Sequence, residues 1–425
     1  MNSEIPLLSL RDAGVKLIDC VHKTPAGVEQ GFPYIAIPQL TEGRIDVDSV
    51  RRISEQDMLE WNVKCDPQED DIVLSRRCNP GVTAVIPKGF RGSLGQNLVL
   101  LRATDPNKMT PKYLRWATRA REWWNEVGRY INVGAVFESL RCADIPEFVI
   151  PVPSVAEQKA IAHILGTLDD KIELNRKTNE TLEAMAKALF KSWFMDFDPI
   201  RAKAEGRPTR LPAEISDLFP DSFEDSELGE IPSGWSVETV GDISSNFDSK
   251  RVPVSGNDRE KRKGEYPYYG ATGIVDWVDD FLFDGIYLLI GEDGSVERGD
   301  GTAFSQYVSG KIWVNNHAHV LTGAKGISTE HLYLYFQFIQ VAPFVTGAVQ
   351  LKISQGRLNS IPVVIAPRCL SDYFSGLIRK LFDQRIAMGC EMSTLSSLRD
   401  ALLPKLISGE IRIPDAEKML EEVGI

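Results

Sequence analysis

Ile145-Pro146-Glu147-Phe148-Val149-Ile150-Pro151 leads into a long helical pattern, and Ile361-Pro362-Val363-Val364-Ile365-Ala366-Pro367 leads into another. The chain is written twice. Ahead of each stretch the same landmarks recur in the same order. Gly134-Ala135-Val136 matches Gly347-Ala348-Val349, and Thr110-Pro111-Lys112-Tyr113-Leu114 resembles Ser328-Thr329-Glu330-His331-Leu332. Asp71-Ile72-Val73-Leu74 parallels Gly285-Ile286-Tyr287-Leu288, and Glu4-Ile5-Pro6 echoes Glu230-Ile231-Pro232. A period of roughly two hundred residues is far beyond the about 20–50 of solenoid repeats. Each copy is therefore a globular module plus a helix, and two similar modules on one frame suit a target that itself has two parts.

The helices carry the frame. Ser154, with Glu157 three residues on, makes a capping box. From there Ile161, Leu165, Leu168, Ile172, Asn175, Asn179, Leu182, Ala186, Leu189 and Trp193 alternate in steps of four and three, an a/d seam. The pattern ends before Pro199, giving about 40 residues, or roughly 60 Å at the rise of a helix. Such a stripe needs a partner. After Pro367, Phe374, Leu377, Leu381, Gln384, Met388, Glu391, Leu395, Leu398 and Leu402 keep the same rhythm as far as Pro404. A pseudo-twofold axis across the pair requires the two helices to run antiparallel, with one module at each end. Asn175, Asn179, Gln384 and Glu391 either fix register within the seam, or some of them face outward or toward a third protein.

The modules read as α+β. Asp71-Ile72-Val73-Leu74, Val82–Ile86 and Leu98-Val99-Leu100-Leu101 are strand-like runs bounded by Gly, Pro and Asn. Lys112–Trp124 reads as a helix started by Thr110 and Pro111. Residues 199–230 read as a Pro-containing linker with an acidic run. Leu406–Ile413 is expected to add a strand, and Asp415–Val423 a last short helix.

At 425 residues the chain accommodates two or three domains with substantial cores. No apolar run approaches the roughly 18–20 residues of a membrane span, and Met1–Pro6 lacks the features of a signal peptide. Cys20, Cys65, Cys78, Cys142, Cys369 and Cys390 include no C-x-x-C pair. That spacing argues against zinc and against a disulfide framework, so a reduced cytoplasmic setting is expected. The net charge of −12 by itself disfavours nucleic acid. It averages the acidic segment from Leu211 to Glu230 with locally basic loops, and local charge sets the field at a binding face.

Motifs for catalysis are missing. There is no P-loop and no Gly-rich dinucleotide fingerprint, and no cofactor or metal is expected. Asn79-Pro80-Gly81 reads as a turn, Gly291-Glu292-Asp293-Gly294-Ser295 as an acidic turn lacking calcium-loop spacing, and His317-Ala318-His319 lacks nearby carboxylates in sequence. Binding chemistry is better represented. Arg76, Arg77 and Asn79 follow one strand, Gln96 and Asn97 follow another, and Lys88 and Arg91 lie between. Arg, Asn and Gln make bidentate contacts with guanine and adenine edges. In the second copy Lys250, Arg251, Arg259, Lys261, Arg262 and Lys263 sit beside Tyr268 and Tyr269 in a Gly/Pro-punctuated region, a mixture suited to phosphates and sugars.

Several segments resemble one family, the specificity subunits of type I restriction–modification systems. They are Pro151-Val152-Pro153 with Glu157-Gln158-Lys159-Ala160-Ile161, Leu168-Asp169-Asp170-Lys171-Ile172-Glu173-Leu174-Asn175, Gly229–Trp235, and Leu395–Ile411. Tyr266–Ala271, Glu292–Ser295 and Trp313–His319 match the style of the second domain. The resemblance covers nearly the whole chain. It implies two mixed α/β globular target-recognition domains joined by two long antiparallel coiled-coil helices, in a pseudo-twofold internal repeat. The expected boundaries are 1–150 for the first recognition domain, 151–198 for its helix, 199–230 for the linker, 231–366 for the second domain and 367–425 for the second helix and tail. It also implies a non-catalytic subunit that reads an asymmetric bipartite target in double-stranded DNA and docks two methyltransferase subunits and translocase–nuclease restriction subunits. Asn316 and His317 join the candidate DNA contacts through the second-domain match. Two departures stand out. Ser371-Asp372-Tyr373-Phe374 replaces the Glu-Gln signature in the second helix, which also counts one residue fewer between Ile386 and Leu395 than the first does between Ile172 and Leu182, and the first domain opens without the Gly-Trp turn of the second. The alternative class is a coiled-coil interaction scaffold that binds proteins or glycans.

Overall fold

A computed structural model describes residues 5–21, 23–41, 43–47, 50–133, 138–347, 349–422 and 424. Glu4, His22, Gly134-Ala135-Val136, Ala348 and Val423 of the sequence reading lie outside the described residues. The chain forms two units, Met1–Leu174 with Glu391–Ile425, and Asn175–Cys390.

In the first unit a four-stranded antiparallel sheet runs Val15–Asp19, Leu98–Ala103, Ile72–Ser75, Thr83–Val85. A three-stranded sheet runs Arg51–Ile53, Phe32–Ile35, Ser93–Leu94, its last pair parallel. In the second unit one six-stranded sheet runs Ser244–Asn246, Ala318–Gly323, Phe283–Gly291, Ser305–Val314, Lys263–Tyr269, Ile274–Val278. The two arrangements are the same topology with one edit. The ten-residue strand Ser305–Val314 is broken in the first unit into Thr83–Val85 and Ser93–Leu94. Pro87 has no N–H for the ladder and Gly89 has φ +74°, which explains the break. In each unit the entering strand pairs antiparallel with the strand that precedes the long helix, Leu7–Ser9 with Val149–Pro151 and Ser236–Thr239 with Pro362–Ile365.

These pairings correct the repeat register. Ile72 pairs with Leu101 and Leu288 with Leu321, on the strands that follow equivalent turns. Asp71–Leu74 thus corresponds to Tyr287–Ile290, two residues beyond the sequence match. The helices begin at Val155 and Arg368, so Leu182 and Leu395 lie at the same step and the apparent missing residue vanishes. A sequence match on Ile-Pro alone cannot see which residues share a ladder.

Thr110 does not cap its helix through its side chain. Pro111 opens Pro111–Ala117, and a second helix follows at Arg121–Tyr130. Ser154 does cap. Its amide donates to Glu157 at 2.9 Å, and the Glu157 amide returns to Ser154 Oγ at 3.4 Å. Gln158 is fully buried, accepting from Thr110 N at 2.8 Å and donating to the carbonyls of Lys108 and Pro153. At the equivalent step of the second helix, Ser371 donates to the Ala366 carbonyl instead, which accounts for the departure there.

The first long helix, Val155–Phe190, passes into a π turn, Lys191–Met195, that buries Trp193 and Phe194. The second, Arg368–Ser408, runs through Pro404. Pro404 is exposed, so the carbonyl it frees meets water, while Leu402, Leu403, Leu406 and Ile407 hold the apolar face. Gly409 at φ +75° ends it, a left-handed position that glycine adopts without strain. The expected strand at Leu406–Ile413 is therefore a helix end and a turn, followed by a helix at Ile413–Glu422.

Within each unit the helix segments pair antiparallel: Asp169 meets Arg399 and Lys171 meets Glu391 in the first, while Phe190 meets Phe374 and Glu183 meets Arg385 in the second. The buried face is wider than an a/d seam, as in helices of globular cores. Ile161, Leu165, Leu168, Leu182, Leu395 and Leu402 are buried, whereas Ile172, Leu189, Leu377, Leu381, Met388 and Leu398 are half-buried. Ile378 and Phe382 take the central places beside Leu377 and Leu381. The polar positions divide. Asn175 is buried, Asn179 donates to the Arg385 carbonyl at 3.3 Å, Glu391 pairs with Lys171, and Gln384 faces water. The segment expected as a linker carries two short helices and the hairpin Phe223–Ser226/Gly229–Pro232, with Phe219 packed edge-on to Trp193 at 5.2 Å.

Candidate nucleic-acid interface

In both units the strand that enters the sheet centre ends in a turn that bonds to the loop before the last long strand. Arg76 N donates to Asn97 O at 3.0 Å, and Glu292 N donates to His317 O at 2.8 Å. Ser75 pairs with Leu98, and Gly291 with Ala318. The turn Arg76-Arg77-Cys78-Asn79 of the first unit is therefore the counterpart of Glu292-Asp293-Gly294-Ser295. The loop Gln96-Asn97 is the counterpart of Asn316-His317.

In the first unit the structure brings Arg76, Arg77, Asn79, Gln96 and Asn97 together. Arg76 and Arg77 are half-buried with each Nε enclosed, Arg76 Nη1 lies 3.5 Å from the Leu140 carbonyl, Asn79 and Gln96 are exposed, and Ser139 bridges to Arg77 from a neighbouring hairpin. Gln96 and Asn97 also line a cleft of about 400 Å³ with Thr24, Tyr34, Gln39 and Arg51. Sequence reasoning missed Arg51 and Gln39. The signal was present in the aromatic-Pro-Tyr repeat, Phe32-Pro33-Tyr34 and Tyr266-Pro267-Tyr268, whose strands place Arg51 and Asp276 opposite the closing tyrosine. Lys88 and Arg91 lie elsewhere, at the other end of the Ile72–Ser75/Thr83–Val85 hairpin, where Arg91 sits over Phe32 at 4.9 Å and 3.6 Å from Glu55.

In the second unit the basic run divides. Arg251 is turned inward, pairing with Glu292 at 2.7 Å and Asp248 at 3.5 Å and donating to the Ala318 carbonyl. Lys250 beside it is exposed, as are Asn316 and His317. Arg259 and Lys263 hold Asp276, Arg262 holds Asp279, and Lys261 lies 3.8 Å from Asp258. Arg259, Arg262 and Lys263 stiffen the outer hairpin, with Arg259 over Tyr268 and Arg262 over Trp313, whereas Lys261 reaches only its own helical turn. Tyr268 is buried at 1% exposure, its hydroxyl accepting from Val254 N, and so belongs to the core, while Tyr269 is half-buried.

Asp248, Glu292 and His319 offer ligand atoms within 4.8 Å of one another. Two cations already occupy these carboxylates, Arg251 and Lys352, the latter 3.1 Å from Glu292. His319 spans Asp248 at 2.5 Å and the Ile353 carbonyl at 2.9 Å. Burial works against ionisation of Asp248, but the His319 hydrogen bond and charge, with the Val320 amide, hold its carboxyl below the usual range. The group ties four chain segments together and suits a structural clamp better than a metal centre. Lysine, arginine and amide side chains at the two turns can contact phosphates and base edges.

Among the described residues no helix is long and apolar enough to cross a membrane. The MjaIX type I restriction enzyme specificity subunit of Methanocaldococcus jannaschii is 26% identical over 384 residues, covering 86% of this chain and 83% of its own. The HindI specificity subunit of Haemophilus influenzae is 23% identical over 357 residues, covering 68% and 75%. A crystal structure of the S subunit of a type I restriction–modification system from M. genitalium shares the fold, with a TM-score of 0.58, 17% identity and 96% and 97% coverage. A family model, the type I restriction modification DNA specificity domain, matches residues 26–184 and 232–368. Matched over more than half its length and once in each copy of the repeat, the chain belongs to the type I restriction–modification DNA specificity family.

Proposed function

We propose that this specificity subunit reads an asymmetric bipartite DNA target, one half per recognition domain, with the spacing set by the helices that follow each domain. The observation that carries the reading is the repeated frame: two units of one topology present equivalent turns with different side chains. Equivalent frames give equivalent docking, and different side chains give different half-sites. The domains run 1–150 and 231–366, the first helix 151–198 and the second helix with its tail 367–425, with 199–230 joining them. The chain contributes recognition and no catalysis, as its family membership implies. Two methyltransferase subunits and translocase–nuclease restriction subunits supply the chemistry in the cytoplasm, and further phosphate contacts from those partners offset the net charge of −12.

The test is a map of N6-methyladenine in host DNA with this gene intact and deleted. Loss of a single bipartite motif on deletion is the expected result. An unchanged methylation pattern in a host whose methyltransferase genes are expressed would overturn the reading.

A further inference from the structure

The two units carry opposite charge at matching positions. Arg51 faces Tyr34 across a strand pair as Asp276 faces Tyr268. Arg76 and Arg77 occupy the turn that Glu292 and Asp293 occupy. Three arginines of the first unit therefore stand where the second has three carboxylates. Two of those carboxylates are engaged inside their own unit: Glu292 by Arg251 and Lys352, and Asp276 by Arg259 and Lys263. Asp293 is different. Its Oδ1 lies 2.5 Å from Nδ1 of His317, a ring 48% exposed on the neighbouring loop. A carboxylate at Nδ1 fixes that nitrogen as the donor, and Nε2 has no protein partner among the described residues. A neutral ring held this way presents an acceptor lone pair outward. The matching position in the first unit is Asn97, next to Gln96 and bonded through its carbonyl to Arg76.

We propose that these matching turns set which bases each unit reads. Arg76 and Arg77 read guanine through its paired acceptors O6 and N7, and His317, held by Asp293, reads the exocyclic amino group of an adenine or cytosine. The inference deepens the DNA reading above and rests on it. A guanidinium donates two parallel hydrogen bonds to O6 and N7, whereas an imidazole acceptor suits an N6 or N4 amino donor. Asp293 touches no base in this scheme and is a positioning residue, so its substitution acts through the ring.

The test uses the full set of system genes in a host. The motif methylated by the wild type is compared with those of Arg76→Lys, Arg77→Lys, His317→Ala and Asp293→Asn. Lysine keeps the charge and loses the fork, so the arginine variants are expected to relax one or two positions, all G·C pairs and all in one half-site. Methylation of sites bearing the wrong pair should rise by about tenfold or more. His317→Ala and Asp293→Asn are expected to relax one and the same position in the other half-site. A 2-pyrimidinone or purine nucleoside lacking the amino group at that position, placed in a synthetic duplex, should be poorly methylated by the wild-type complex and no worse by the His317→Ala complex. Relaxation at an A·T pair by the arginine variants, relaxation of different positions by the two second-unit variants, or uniform weakening at unchanged motifs would each overturn the proposal. A motif that survives deletion of the gene would instead overturn the DNA reading itself.

Discussion

Asp169 and Phe382 lie at the same step of their helices, counted from Val155 and Arg368, and the two units close the joint between helix and module in opposite ways. In the first, Asp169 is 1% exposed and meets Arg115, with Arg399 at 2.6 Å and Arg119 and Arg44 at 3.7 and 3.8 Å. In the second, Phe382 meets Tyr307 edge-on at 4.6 Å and Tyr333, the counterpart of Arg115, at 5.8 Å. Burial lowers Arg119 to about 10, Asp169 working against the shift and the neighbouring guanidiniums with it. Ions taken from water cost several kcal/mol each and are satisfied in few geometries, whereas rings pack in many. One frame can thus be closed by a geometrically demanding joint or by a tolerant one.

Asp169→Ala breaks the comparison most severely, because it strands several guanidiniums. It should cost the first unit about 3–5 kcal/mol, read as accelerated amide exchange there and unchanged exchange in the strands of the second. Phe382→Ala should cost the second unit about 3 kcal/mol, mainly through its cavity, with no penalty from unpaired charge. Denaturation at rising salt separates the two, since screening should change the Asp169 variant and leave the Phe382 variant alone.

The third prediction concerns pH. His331 is fully buried against Phe190, Phe194, Tyr335 and Phe374, with neither ring nitrogen partnered, and burial lowers it to about 3. The unfolded chain takes up this proton below about 6.5, while the folded chain refuses it until about 3. Stability present above 6.5 is therefore lost as the pH falls, at about 1.4 kcal/mol per pH unit. His331→Phe should flatten that slope in the second unit, measured by urea midpoints between pH 6.5 and 4. The counterpart Tyr113, which donates to the Pro151 carbonyl at 3.0 Å, gives the first unit no such slope. The smallest effect is at the helix starts. Ser154→Ala should cost about 1 kcal/mol, and Pro367, which stands in the corresponding place, offers no side-chain cap to lose.

The repeat, the two long helices and their antiparallel pairing were legible because apolar periodicity and capping residues are local signals. The register of the repeat was not, since Ile-Pro recurs in sequence three residues away from where the ladders align. The joint was hidden as well. Asp169 reads as a solvated charge next to Asp170 until Arg44, Arg115, Arg119 and Arg399 arrive from elsewhere in the sequence. The candidate site was half visible for the same reason. Residue types at Arg76, Arg77, Gln96 and Asn97 suggested base contacts, but nothing local tells that Arg251 turns inward or that Asp293 reaches His317. Cys20 and Cys65, apart in sequence and lacking any motif, come to 3.5 Å as a buried thiol pair.

The first unit is assembled from both ends of the described chain, its core combining Leu10, Trp116 and Leu165 with Leu395, Leu406, Ala416 and Leu420. On the ribosome this reverses the order of completion. The earlier module must wait, its apolar face open, until the helical segments after Glu391 have left the exit tunnel, while the contiguous second unit needs no residue beyond Cys390. For that interval the nascent protein is half-finished at its older end, and a chaperone would find its client in residues translated before the second unit.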